Sequence, residues 1–226
     1  MFTHLICRTR FNRRRKRLQP YIVQVQEVVS KRLEGEGVAR VVDSIPITVE
    51  KLAREKSFLA FGENFETASA KGYSAVNKGW FIGYKPHLIL YENGGVQQSD
   101  LHDINFLKKV ENLPIGRLLS GDRAYRSNPL QMNLFENYQV KLKVPFRINQ
   151  YGYKKHPKKY KSKRQIFESF FVRMCEQLNL KRNYAKTFNG LLTRISSKFP
   201  ALSILHWINH QSKRKIAQIN LAWSFK

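Results

Sequence analysis

Carboxylates are scarce in this sequence and unevenly spread. Of 226 residues, 16 are Asp or Glu against 41 Lys or Arg, a formal net charge of +25. No acid precedes Glu27, none lies between Glu136 and Glu168, and none follows Glu176. So one-sided a charge points to a polyanionic partner, and a membrane surface or nucleic acid would both qualify. The sequence has no basic amphipathic helix with a Trp/Phe face, which favours nucleic acid. The bland alternative is a solvated basic surface on an ordinary protein. Cysteine is also rare. Cys7 and Cys175 alone support neither a disulfide framework nor a zinc cluster, and point to a reducing compartment. No apolar run approaches the roughly 20 residues that span a bilayer. The apolar start of MFTHLICRTRFNRRRKR is too short for a signal peptide.

Several catalytic systems are excluded in the same way. There is no GxSxG nucleophile elbow and no GxxxxGK[ST] phosphate loop. His206 and His210 stand four apart but lack the glutamate of HExxH, so they read as core or helix-face histidines. Cys175 reads as a small core residue on an apolar helical stripe. What the chain does have is 42% hydrophobic and 12% aromatic residues, enough for a sizeable core in one domain or slightly more.

Patterning divides the chain. Residues 8–17 hold seven basic residues in ten and open a helix reaching about residue 33, with Gly35 and Gly37 ending it. Residues 39–49 read as a strand that Pro46 confines to an edge or a terminus, and 81–91 as a second strand. Between them, residues 50–79 read as an excursion. Asn93-Gly94-Gly95 is a hairpin turn with a short return strand at Val96–Ser99. Residues 101–111 read as helical. Leu118-Leu119 enter a strand ending at Gly121-Asp122. Ser127-Asn128-Pro129 starts a helix with Leu130, Leu134 and Phe135 on one face. Val140, Leu142 and Val144 alternate with Lys141 and Lys143 as a half-buried strand. Residues 147–164 read as a basic loop with eight Lys/Arg and Tyr151, Tyr153 and Tyr160. Ile166, Phe170, Met174 and Leu178 then recur at helical spacing, and two more helices fill 184–199 and 201–219. Early strands followed by late helices give an α/β or α+β layer fold.

Three acids occupy places that can carry chemistry. Asp43 follows a hydrophobic strand entry, Asp122 ends a later strand, and Glu168 lies on the first turns of a helix within a field of cations. A local ion pair of Glu168 with Arg164 or Arg173, and turn chemistry at Asp43 and Asp122, are the competing explanations. Converging carboxylates repel one another, and divalent cations relieve that repulsion; oxygen ligands in this number suit Mg²⁺ or Mn²⁺. Two such ions support phosphodiester chemistry, and a polyanionic substrate needs the basic surface.

The blocks VVDSIPITV, KGYSAVNKGWFIGYKPHLIL, LLSGDRAY, KYKSKRQIFESFF and LNLKRNYAKTFNGLLTRISSK, in this order, resemble DDE transposases of bacterial insertion sequences, in particular the insertion-sequence 982 family. The resemblance covers about residues 8–212. It implies an RNase H-like mixed sheet flanked by helices and a DDE triad of Asp43, Asp122 and Glu168. It also implies two Mg²⁺ or Mn²⁺ ions held by that triad, cutting at transposon ends and strand transfer into target DNA without a covalent protein–DNA intermediate. The partners it implies are terminal-repeat and target DNA and a second copy of the chain, with no membrane, in a bacterial cytoplasm near the nucleoid. Expected phosphate contacts are Arg13, Arg14, Arg15, Lys16 and Arg17, and Lys154, Lys155, Lys158, Lys159, Lys161, Lys163 and Arg164. The tyrosines of the basic loop either stack on exposed bases or pack on Lys stems. The expected organisation is a basic N-terminal helical segment at 1–37, a catalytic domain at 38–212 and a tail at 213–226.

Two departures from the family pattern stand out. The chain starts almost at the RTRFNRRR block, where family members carry several tens of residues more. Val96–Leu101 also runs straight into His102-Asp103 as if residues were deleted, an expected shortening of a strand beside the Asp43 strand. Both point to a decayed copy. The competing readings are a truncated, catalytically dead relative that acts as a DNA-binding or regulatory module, and a basic RNA-binding protein with incidental acids.

Overall fold

The computed structural model describes residues 6–34, 39–50, 68–74, 78–91, 93–100, 107, 117–146, 149, 151–155, 157–182 and 184–220. Among the described residues the main sheet has five strands. In chain order they are β1 (Ala39–Ser44), β5 (His87–Tyr91), β6 (Val96–Asp100), β7 (Leu118–Gly121) and β8 (Lys141–Lys143), arranged β6-β5-β1-β7-β8. β1 is central. It runs antiparallel to β5 and parallel to β7, which in turn runs parallel to β8. A mixed sheet in this order, flanked by helices, is the RNase H-like arrangement.

The two faces of the sheet are covered by different layers, and alternation along β1 assigns residues to them. Val41 and Ile45 belong to a core shared with Phe167, Phe170 and Met174 of α4 (Lys158–Glu176), Leu191 and Ile195 of α5 (Phe188–Ser196), and Phe199 and Leu202 of α6 (Lys198–Gln211). Val42 points the other way, into a second core with Ile89, Leu119, Tyr125, Leu134 and Leu142. Covering on both faces explains why Val41-Val42 and the whole of β5 are buried without polar alternation.

The strand read at 39–49 is two strands, β1 and β2 (Ile47–Glu50), and the one read at 81–91 is also two, β4 (Gly79–Tyr84) and β5. The breaks fall at Pro46 and Pro86, which have no N–H for a ladder. The Ile45 N–H bridges the gap, donating to the Pro86 carbonyl at 3.2 Å. Beyond the break β2 and β4 join β3 (Ala70–Ser74) in a separate sheet ordered β2-β4-β3. β3 gives structure to part of the supposed excursion; residues 51–67 lie outside the described residues.

The N-terminal helix is also two: α1 (Arg8–Arg17) and α2 (Gln19–Arg32), meeting at Leu18 just ahead of Pro20. The expected glycine stop at 35 and 37 lies outside the described residues. α2 covers the exposed edge of the sheet, with Ser30 Oγ donating to the Val96 carbonyl at 2.6 Å. Arg40, buried in β1, pairs with Glu34 just past α2 and lies over the Tyr91 ring at 4.8 Å. At the other end, the Asn209 side-chain amide donates to the Gln218 carbonyl at 2.9 Å, and Ile219 is buried in the first core. Among the described residues no helix is long and apolar enough to cross a membrane.

Three more expectations change, and a fourth falls almost wholly outside the described residues. The helix over Asn128–Tyr138, α3, starts at the Ser127 cap and buries Leu134, but Phe135 is exposed. The helix expected at 101–111 lies outside the described residues except for Leu107, which is buried. The basic stretch read as a loop to residue 164 turns helical at Lys158, directly after Pro157 at the cap. Lys, Arg and Gln are good helix formers, so nothing in that stretch opposes the helix except its charge at the dipole's positive end. Finally, β6 is not beside β1: β5 lies between them, so the expected shortening falls at the sheet edge, one strand away from Asp43.

Candidate active site

The parallel ladder between β1 and β7 fixes the relation of the two aspartates. Its last pair is Val42↔Gly121, and Asp43 and Asp122 are the residues that follow on each strand. Neighbouring strands lie about 4.8 Å apart, so two carboxylates leave the carboxyl ends of adjacent strands side by side. Alternation puts Asp43 on the face of Val41 and Ile45, and Asp122 on the face opposite Leu119. Both therefore belong to the α4 side.

Each carboxylate is oriented by backbone. Asp43 Oδ1 accepts from its neighbour, the Ser44 N–H, at 2.8 Å. Asp122 accepts from the Ala124 N–H, capping the single 3₁₀ turn Arg123–Tyr125. Gly121 makes room for this turn, because a Cβ there would meet Val42 Cγ1 at 3.0 Å and Tyr125 Cδ2 at 3.2 Å.

Glu168 is on α4, which packs across β1 and β7. Its neighbours Phe167 and Phe170 are fully buried against the sheet, while the Glu168 side chain itself is exposed. The helix carrying the third acid thus crosses the two strands carrying the others. Among the described residues, no three His, Cys, Asp or Glu side chains already stand as a metal-holding cluster. The donor set nevertheless fits a hard divalent cation in its chemistry: carboxylate oxygens, two of them on adjacent strand ends.

Sequence reasoning missed the layer behind these acids. Tyr125 is buried, and its hydroxyl lies 2.8 Å from Nδ1 of the buried His87, with the rings edge to face. His87 stands opposite Ser44 in the β1–β5 ladder. Burial pushes the Tyr125 phenol up, the Asp43 and Asp122 carboxylates push the same way, and a hydrogen bond with Ser44 opposes them. The only sequence signal was the tyrosine three residues beyond Asp122 in GDRAY.

The cationic residues divide by position. Arg13, Arg14, Lys16 and Arg17 are exposed on α1, but Arg15 is half-buried, donating to Asn12 Oδ1 at 3.3 Å and lying over Phe11. Burial, with the Arg194 guanidinium nearby, lowers its pKa. Lys154 and Lys155 are exposed beside exposed Tyr151 and Tyr153. Lys158, Lys159, Lys161, Lys163 and Arg164 occupy the first turns of α4, as does Tyr160. Of the two histidines on α6, His206 is fully buried and His210 exposed, so they form no ligand pair. Cys175 is half-buried against the first core, which raises its thiol pKa.

No curated protein and no solved structure matches the chain. A family model described as the transposase DDE domain matches residues 34–186, a span that runs from the end of α2 past α4 and includes Asp43, Asp122 and Glu168. That match covers well over half of the sequence, and with the RNase H-like sheet it places the chain in the transposase DDE domain family.

Proposed function

We propose that this chain is a DNA transposase that cuts at the ends of an insertion sequence and joins them to target DNA, with Asp43, Asp122 and Glu168 as its carboxylate triad. The observation that carries the reading is the exit of Asp43 and Asp122 from adjacent ends of two parallel strands, under the helix that bears Glu168. Domains of this family generally use divalent metals. The three carboxylates would hold Mg²⁺ or Mn²⁺, two ions in the full site, which when bound activate a water or 3′-hydroxyl and stabilise the leaving oxygen.

The rest is work for the chain's own groups. The Ser44 and Ala124 N–H groups hold one oxygen of each aspartate and so aim the carboxylates. The exposed cations of α1, Lys154, Lys155 and the basic start of α4 neutralise phosphates along the bound DNA. Their spacing suits backbone contact rather than base reading. DNA would be held by a pair of chains in a bacterial cytoplasm, with 38–212 as the catalytic unit. The block order favours the insertion-sequence 982 group, as a copy shortened after Ser99. That shortening spares the strands next to Asp43, since β6 still pairs along β5 from His87 to Leu90.

A second reading, a DNA-binding relative that no longer cuts, draws support from the exposed Glu168 and the absence of a closed three-acid cluster among the described residues. Incubation with labelled terminal repeats separates the two. Mg²⁺-dependent nicking that Asp122→Asn abolishes supports the transposase. Retention of DNA without any nicking, in Mg²⁺ and Mn²⁺ alike, supports the second reading.

A further inference from the structure

We infer that Tyr125, held by His87, is a positioning residue that staples together the strand ends carrying Asp43 and Asp122, and so sets how well those carboxylates take a divalent cation. The inference rests on the metal-binding reading of the two aspartates and concerns what stands behind them.

Three strand ends meet at one hydroxyl. Tyr125 comes from the turn that Asp122 caps, immediately beyond β7. Its oxygen lies 2.8 Å from Nδ1 of His87, the first residue of β5. It also shares a hydrogen bond with the side chain of Ser44, the last residue of β1, whose own N–H holds the Asp43 carboxylate at 2.8 Å. The phenol can donate to one of these two partners and accept from the other, so both of its hydrogen-bonding roles are filled.

The staple lies out of the water. Tyr125 and His87 are buried to 8% and 7% exposure, so a lost bond there is not replaced by solvent. Tyr125 is packed against its surroundings too: its ring meets the spot where a Gly121 side chain would be. The phenol oxygen makes no covalent or proton-transfer step. It fixes the spacing of two carboxylates that come from positions far apart in the sequence, and groups standing behind metal ligands typically change metal affinity by about 10- to 100-fold when removed.

The full chain is titrated with Mn²⁺ alone, followed by the paramagnetic resonance signal of the free ion, with no DNA present. Affinity that falls in Asp43→Asn and in Asp122→Asn identifies the site. Tyr125→Phe, which keeps the ring and removes only the oxygen, is expected to weaken Mn²⁺ binding about tenfold. His87→Leu should do the same, whereas His87→Asn, which restores a polar atom near the Nδ1 position, should recover most of the affinity. Hydrogen exchange at the Ser44 amide, measured without metal, should quicken in Tyr125→Phe. A Tyr125→Phe chain with unchanged Mn²⁺ affinity and unchanged Ser44 exchange overturns the staple and leaves the metal reading intact. Mn²⁺ binding indifferent to both Asp→Asn changes overturns the metal reading, and the staple's role with it.

Discussion

His206 offers a clean test of the packing around the hairpin turn. It is fully buried on α6, its ring edge to face with Phe170 at 6.3 Å and its Nδ1 donating to the Gly94 carbonyl at 3.2 Å. Nε2 has no partner among the described residues. Protonation would place a charge and an unpaired N–H in an apolar site. Burial accordingly holds the imidazole at about 4 against its usual 6.5, the Arg173 guanidinium pushes the same way, and the bond to Gly94 opposes. The unfolded chain takes up this proton below about pH 6.5 and the folded chain only below about pH 4. The stability from keeping the ring neutral is therefore fully present above the upper value and drains away as pH falls through the interval. At about 1.4 kcal/mol per pH unit, the loss comes to about 3 kcal/mol. The low acid content keeps the carboxylate background small. Urea unfolding followed by tryptophan fluorescence at pH 7.5 and 4.5 measures the drop. His206→Gln removes the titration and should lose less between those pH values, by about 2 to 3 kcal/mol. Parallel falls in the two chains would refute the reasoning.

Other outcomes follow from the site and the core. Asp43→Asn, Asp122→Asn and Glu168→Gln should each abolish Mg²⁺-dependent nicking yet leave DNA binding equal or stronger in a gel-shift assay, since each removes both a ligand and a negative charge facing phosphate. Replacing Lys158, Lys159 and Lys161 by Ala should weaken binding to all DNA sequences alike and flatten the salt dependence by up to about 0.9 per lost phosphate contact; a change in sequence preference with an unchanged slope would contradict this. Phe170→Ala opens a cavity where α4 meets the sheet and should cost about 3 to 5 kcal/mol in urea unfolding.

Where local pattern and tertiary role coincide, the fold is readable from sequence. Val41-Val42, Leu119 and Leu142 are buried strand residues, and Val140 and Val144 are buried at either end of β8, because hydrophobic period and sheet face agree. Asp43 and Asp122 are legible for a related reason, since each is a polar residue directly at the end of an apolar strand. The divisions at Pro46 and Pro86 were half-legible: proline marks an interruption but does not say that the strand resumes in another sheet. Phe135 shows the opposite failure, an apolar residue at helical spacing that tertiary packing leaves exposed. The start of α4 was hidden because a dense cationic run looks like a loop, although its side chains favour helix. The Ser44–Tyr125–His87 arrangement was out of reach, because it joins three segments that no local period relates.

The position of β1 also bears on when the site can come into being. β1 is the earliest strand of the main sheet in the chain, yet it is central, and its partner on the Asp122 side lies roughly eighty residues later. During synthesis from the N-terminus, β1 can pair with β5 once the chain has passed Tyr91, but its other edge stays open until β7 and then α4 emerge. Every nascent chain that ends before α4 therefore lacks Glu168, and one that ends before β7 lacks Asp122 as well. On the transposase reading, such an incomplete chain would already present the phosphate-binding cations of α1 before it had a site able to cut.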